Sequence, residues 1–187
     1  MNRREAISAV AWLLGGTVVG ADLLVSCTPK AKKVNDLFDQ DQVALLDEVG
    51  DTILPATKTP GAKAAHVGDF MAMMVQDCYL PEDQQVFADG IKQLNKASKK
   101  EYDKDFMALD TKQRTALLTS LDKEQRDYMQ NKKPDAPSHY FRMMKELTLL
   151  GYFTSEVGAT QALRYVPVPG RYEGCTEYKK GERAWAT

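Results

Sequence analysis

The chain has 187 residues, the size of one domain, and its 43% hydrophobic content is enough for a packed core. Twenty-five Lys and Arg against 26 Asp and Glu give a formal net charge of −1. No basic excess exists to neutralise phosphates, so nucleic acid is excluded as a partner class.

The N-terminus opens with Asn2-Arg3-Arg4-Glu5 and continues into an apolar stretch, Ala6 to Val25, interrupted by Gly15, Gly16, Gly20 and Asp22. A spanning helix needs about 20 apolar residues, and an aspartate inside it is costly. A cleaved export signal fits better, with an uncleaved anchor helix as the alternative. Leu24-Val25-Ser26-Cys27 resembles a lipobox, which makes Cys27 the expected site of lipid attachment and the new N-terminus. The adjacent Arg3 and Arg4 before a weakly hydrophobic core resemble a twin-arginine signal, although Glu5-Ala6-Ile7 departs from the usual motif. The expected product is an exported lipoprotein on the periplasmic side of a membrane. Residues 1–27 are then the signal and 28–36 a polar tether. That tether is either solvated or held near anionic headgroups by Lys30, Lys32 and Lys33. Residues 37–187 form the folded domain.

That domain reads as helices. Asp39 with Gln42 makes a capping-box start, Val43, Leu46, Val49 and Ile53 line one face, and Pro55 ends the helix. Thr57-Lys58-Thr59-Pro60-Gly61 is turn chemistry. Val67, Phe70, Met71, Met74, Val75 and Cys78 then fall on one helical face, with the methionines as adaptable core. Pro81 starts a helix to about Lys100 with Phe87, Ile91 and Leu94 inward. Two similar stretches follow, Leu109-Asp110-Thr111-Lys112-Gln113-Arg114 and Leu121-Asp122-Lys123-Glu124-Gln125-Arg126. Each places Asp as N-cap with Gln three residues on, which predicts two short helices in tandem. Pro137 opens a helix carrying Tyr140, Met144 and Leu147 that ends near Gly151, and a short helix from Ser155 to about Leu163 completes an all-α body.

The last part of the chain is different in kind. After Arg164-Tyr165, Pro167 and Pro169 fix φ and remove two backbone donors, so helix cannot continue and an extended, stiff C-terminal arm is expected. Such an arm is either a docking surface or a strap over the protein's own core. With Cys27 taken by lipid, Cys78 and Cys175 remain as an even pair in an oxidising compartment, which predicts a disulfide. Closing a loop of about 100 residues would stabilise the fold by roughly 4–5 kcal/mol and pin the arm to the body.

Catalytic constellations are absent from the sequence. The two histidines, His66 and His139, have no metal-ligand spacing to Cys, Asp or Glu and read as surface or capping residues. No CxxC, CxxCH, glycine-rich phosphate loop or GxSxG is present, so a covalent haem or a dinucleotide site on this chain is excluded. Acidic pairs such as Glu82-Asp83 sit at helix starts, where the dipole favours them.

Asp51-Thr52-Ile53-Leu54-Pro55-Ala56-Thr57, Thr59-Pro60-Gly61-Ala62, Gly151-Tyr152-Phe153-Thr154-Ser155-Glu156 and Tyr165-Val166-Pro167-Val168-Pro169-Gly170, in that order and spacing, resemble the gluconate 2-dehydrogenase subunit 3 family over roughly residues 37–187. The resemblance implies a small non-catalytic subunit, often exported by the twin-arginine route. It implies pairing with a large FAD-containing oxidoreductase of the glucose–methanol–choline type that acts on a sugar or sugar acid, and often with a c-type cytochrome. FAD would lie on the large partner and haem c on a third subunit, with no cofactor or metal on this chain. Its roles would be export, folding or membrane anchoring of the large subunit. Carried over onto this sequence, the expected partner surface is Thr59, Pro60 and Gly61 together with Tyr152, Phe153, Arg164, Tyr165, Pro167, Pro169 and Tyr172. Two other readings remain: a stand-alone lipoprotein that binds a sugar or peptide, and an enzyme with an unrecognised site.

Overall fold

A computed structural model describes residues 32–168, 170, 171, 174–177 and 179–186. The expected signal with Arg3, Arg4 and Cys27, and the arm residues Pro169 and Tyr172, lie outside the described residues. Five α-helices carry the fold among the described residues: α1 (Gln40–Ile53), α2 (Val67–Cys78), α3 (Pro81–Tyr102), α4 (Thr111–Asn131) and α5 (Tyr140–Thr154). Short 3₁₀ turns at Ala62–Ala65 and Phe106–Ala108 and a π-helical turn at Gly158–Ala162 lie between or after them. No helix of the described residues is long and apolar enough to cross a membrane.

Each helix starts where a side chain accepts from a free N–H group or a proline removes one. Asp39 caps α1 in a capping box, its carboxylate accepting from the Gln42 N–H at 2.8 Å while the Gln42 side chain accepts from the Asp39 N–H at 3.0 Å. Asp110 and Gln113 do the same for α4, and Pro81 opens α3. At α2 the N-cap residue is His66, held in the left-handed region (φ 51°, ψ 47°) with no side-chain cap bond. The cap comes from elsewhere: Asp47 on α1 accepts from the Gly68 N–H at 2.8 Å. Burial raises the Asp47 pKa, and the Gly68 N–H opposes that shift. One carboxylate thus fixes the start of α2 against the middle of α1.

The helices bury the faces that the apolar periodicity marks. Val43, Leu46 and Val49 of α1, Val67, Met71 and Val75 of α2, and Phe87, Ile91 and Leu94 of α3 are all buried. Their burial contributes about 1.5–3 kcal/mol per large side chain. Helix α5 is the centre, packing against each of the other four helices through Tyr140, Phe141, Met144, Leu147 and Tyr152. A polar tie closes one side. Glu48 of α1 accepts from Lys63 and from Arg114 of α4, and the Arg114 guanidinium also covers the Phe106 ring at 5.5 Å and donates to the Met107 carbonyl at 2.9 Å. The Lys63 ammonium, followed by Arg114, holds the Glu48 carboxyl below its usual range.

Three local expectations are corrected. The tandem helices 109–114 and 121–126 are one helix, α4. No Gly or Pro interrupts Thr111–Asn131, and Asp122 sits mid-helix as an acceptor for Lys145 of α5 at 2.6 Å and for Arg126 one turn on, not as a cap. The tether ends earlier than residue 36. Asn35 bonds the N–H groups of Leu37 and Phe38 and donates to the Ala72 carbonyl at 3.0 Å, and Asp36 N–H donates to Gln76. This turn delivers Phe38 into the core, edge-on to Phe87 at 5.9 Å. No disulfide joins Cys78 and Cys175, which are both exposed free thiols. Cys78 is the last residue of α2, where the buried stripe has already ended at Val75, and its thiol faces outward with Met74 sulfur at 4.0 Å.

His139 caps α5 through its ring, Nδ1 accepting from the Phe141 N–H at 3.2 Å, with Tyr140 stacked at 4.5 Å and Glu124 at 3.8 Å. Burial lowers its pKa, although Glu124 opposes this. The folded state therefore binds the proton less well than the unfolded chain. The cap's contribution is complete above the ordinary imidazole value of about 6.5 and falls as pH drops below it. Chemical denaturation across this range should show stability falling with pH, and His139→Asn, which retains a cap without the titration, should flatten that slope.

Candidate functional site

The described residues among those singled out as a partner surface, Thr59, Pro60, Gly61, Tyr152, Phe153, Arg164, Tyr165 and Pro167, fall around the C-terminal end of α5 and the segment that follows it. That helix continues past Gly151 to Thr154, and Ser155 closes it: its hydroxyl donates to the Tyr152 carbonyl at 2.7 Å and accepts from the Gly158 N–H at 3.0 Å. The π-helical turn follows, with Ala159 N–H on the Ser155 carbonyl and Leu163 N–H on the Gly158 carbonyl. At Gly158 the chain passes directly over the end of α5, where an added Cβ would lie 1.9 Å from the Tyr152 carbonyl oxygen. Only glycine fits there.

The Thr57–Gly61 turn is joined to this end by one bond. The Tyr152 hydroxyl donates to the Pro60 carbonyl at 2.6 Å, across 92 positions of sequence. Ala62 N–H returns to the Leu54 carbonyl at 2.9 Å. At Gly61 a Cβ would meet the Ala56 nitrogen at 2.6 Å and the Leu54 oxygen at 2.9 Å. Thr59 and Pro60 are half-buried, and Gly61 and Tyr152 are buried. Gly61 and Tyr152 thus hold the turn against the end of α5, with Thr59 and Pro60 at its edge. Tyr152→Phe should remove the bond to Pro60 and cost about 1–2 kcal/mol, read in a denaturation midpoint, with the helix content unchanged.

Several large apolar side chains face outward here, beside the exposed Thr154 and Glu156. Leu149, Leu150 and Phe153 of α5 are 37%, 46% and 40% exposed, and beyond the π-helical turn Tyr165, Val168 and Trp185 are more exposed still. Phe153 sits edge-on to Tyr152 at 5.1 Å, which fixes its ring. The expected extended arm is extended at Arg164–Tyr165, and there it pairs in parallel with Trp185–Ala186. Arg164 N–H donates to the Ala184 carbonyl at 2.8 Å and Val166 N–H to the Ala186 carbonyl at 3.0 Å. The Arg164 guanidinium lies over the Trp185 ring at 4.4 Å, with Glu182 at 3.8 Å. Arg164 is thus engaged within the tail, while Tyr165 and Pro167 stand in solvent.

Of the sequence-marked residues, Phe153, Tyr165 and Pro167 are on the outside, Arg164 organises the tail, Thr59 and Pro60 are half-buried, and Gly61 and Tyr152 are internal. Leu149, Leu150 and Trp185 were not singled out in the sequence. The first two were legible as apolar residues one and two positions off the Tyr140–Met144–Leu147–Gly151 stripe. Trp185 was legible as a large aromatic in an otherwise polar tail. Among the described residues no group of three His, Cys, Asp or Glu is placed to hold a metal ion. The geometry supplies apolar contact area on a rigid helix end.

No curated protein and no solved structure matches the chain. The family model for gluconate 2-dehydrogenase subunit 3 matches residues 40–170, from the first residue of α1 to beyond the β1 segment Arg164–Tyr165. The chain belongs to the gluconate 2-dehydrogenase subunit 3 family.

Proposed function

We propose that this chain is the small, non-catalytic subunit of a membrane-associated dehydrogenase, binding a large FAD-dependent subunit of the glucose–methanol–choline type through the apolar end of α5 and the neighbouring tail. FAD and the substrate site belong to the large subunit, which oxidises a sugar or sugar acid, and a c-type cytochrome with haem c completes the electron path. Family membership over residues 40–170 supports the subunit role. The single structural observation that carries the docking surface is the exposure of Leu149, Leu150 and Phe153 on a helix whose other face is the core of the protein. Exposed apolar and aromatic groups on rigid backbone give binding area at low entropy cost.

The N-terminal sequence supports the rest of the reading. Arg3 and Arg4 direct export of a folded cargo, and Cys27 carries the lipid that holds the complex on the periplasmic side of a membrane. A large subunit without its own signal would travel with this chain. Deleting the gene for the small subunit and fractionating the cells tests this. The flavin subunit should shift from the membrane to the cytosol, and Cys27→Ser should release the complex from the membrane. A flavin subunit that still reaches the membrane without this chain would contradict the export and anchoring role.

A further inference from the structure

On the side of the bundle where the end of α1 meets α4 and α5, a cleft of about 250 Å³ opens to solvent. We propose that this cleft binds a small neutral polyhydroxy compound.

Three threonine hydroxyls line it, Thr52 from α1 and Thr115 and Thr119 from α4. Each already donates its proton within its own helix: Thr52 to the Glu48 carbonyl, Thr115 to the Thr111 carbonyl and Thr119 to the Thr115 carbonyl, at 2.7, 2.8 and 2.7 Å. What they offer a ligand is acceptor lone pairs. The donor is Lys145 of α5. Its ammonium has three N–H groups and bonds Asp122 at 2.6 Å, leaving two for a ligand. The Asp122 carboxyl is held below its usual range, chiefly by that lysine, so both partners are charged and the lining is neutral in sum. Ile53, Leu118 and Phe141 supply an apolar wall.

These features select by elimination. An anion gains the ammonium but meets the Asp122 carboxylate and three acceptors. A cation gains the carboxylate but meets the ammonium. A hydrocarbon uses none of the free acceptors and takes water from the ammonium and the carboxylate without replacing it. A polyol gives protons to the threonine oxygens, accepts from Lys145, and lays its C–H face on the apolar wall. The volume lies just below the usual range for ligand clefts of about 300–1,000 Å³, which limits the occupant to roughly a single six-carbon polyol. This inference uses none of the surface at the end of α5, and it stands whether or not the chain pairs with a flavoprotein.

Titration calorimetry of the protein with glycerol, myo-inositol and D-glucose, and with acetate as the charged control, tests it. At least one of the three polyols should bind saturably and more tightly than acetate. Thr115→Val with Thr119→Val keeps the shape and removes two acceptors, and should weaken that binding about tenfold without moving the melting temperature of the free protein. Thr52→Val alone serves as a second variant, with a smaller loss expected, should the double variant fold poorly. No saturable binding of any polyol, tighter binding of acetate, or binding untouched by the valine variants would overturn the proposal.

Discussion

Replacing Gly158 by alanine is expected to destabilise the protein by about 3 kcal/mol or more, the largest effect of any single methyl group at the candidate site. The new Cβ would lie 1.9 Å from the Tyr152 carbonyl oxygen and 2.7 Å from its carbon. Both are backbone atoms of the last turn of α5, which no rotamer change can move aside. The turn can accept the methyl only by lifting away from α5, which breaks the Gly158 N–H to Ser155 hydroxyl bond and strains the Ala159 N–H to Ser155 carbonyl bond. The damage should be local at first. Amide exchange of residues 155–163 should rise more than that of the α1–α3 core, and the denaturation midpoint should fall. A variant with wild-type stability and exchange would show that the chain does not pass over α5 as closely as this.

The second large effect concerns association and leaves the fold intact. Leu150→Asp with Phe153→Asp should reduce capture of the large subunit at least tenfold, since apolar anchors at an interface centre are each worth about 2 kcal/mol or more and a buried carboxylate adds a desolvation cost. Both side chains are partly exposed, at 46% and 40%, so the circular dichroism spectrum should be unchanged and the melting temperature should fall by only a few degrees. Tyr165→Ala should give a smaller loss, because its strand is only two residues long and held by few bonds. Equal capture by the charged double variant and the wild type would move the interface to another face.

Much of this architecture was legible in the sequence because it rests on local rules. The capping box at Asp39, the proline at the start of α3 and the apolar stripes at Val43–Val49, Val67–Val75 and Phe87–Leu94 each report one helix directly. What was not legible depends on partners far away in sequence. Asp122 has the signature of an N-cap, yet it lies mid-helix and its carboxylate pairs with Lys145, 23 positions on. Asp47 carries no local sign that it caps α2, since its partner is the Gly68 N–H. Cys78 fits the periodicity of a buried stripe, yet α2 ends there and the thiol faces out.

The candidate site divides the same way. Proline spacing gave the break after Arg164, but not the return of the chain that sets Trp185 beside it. Tyr152 and Phe153 are adjacent in sequence and have opposite fates. A step of about 100° along the helix takes one into the core and turns the other out, and only the direction of the core, set by α2 and the Pro60 turn, decides which.

The most direct measurement is to extract the native protein in detergent, recover it by affinity, and record the absorbance spectrum and mass composition of what comes with it. A stoichiometric large subunit with the absorbance of bound flavin should come with it. A single colourless chain, recovered under conditions that keep other membrane complexes whole, would contradict it.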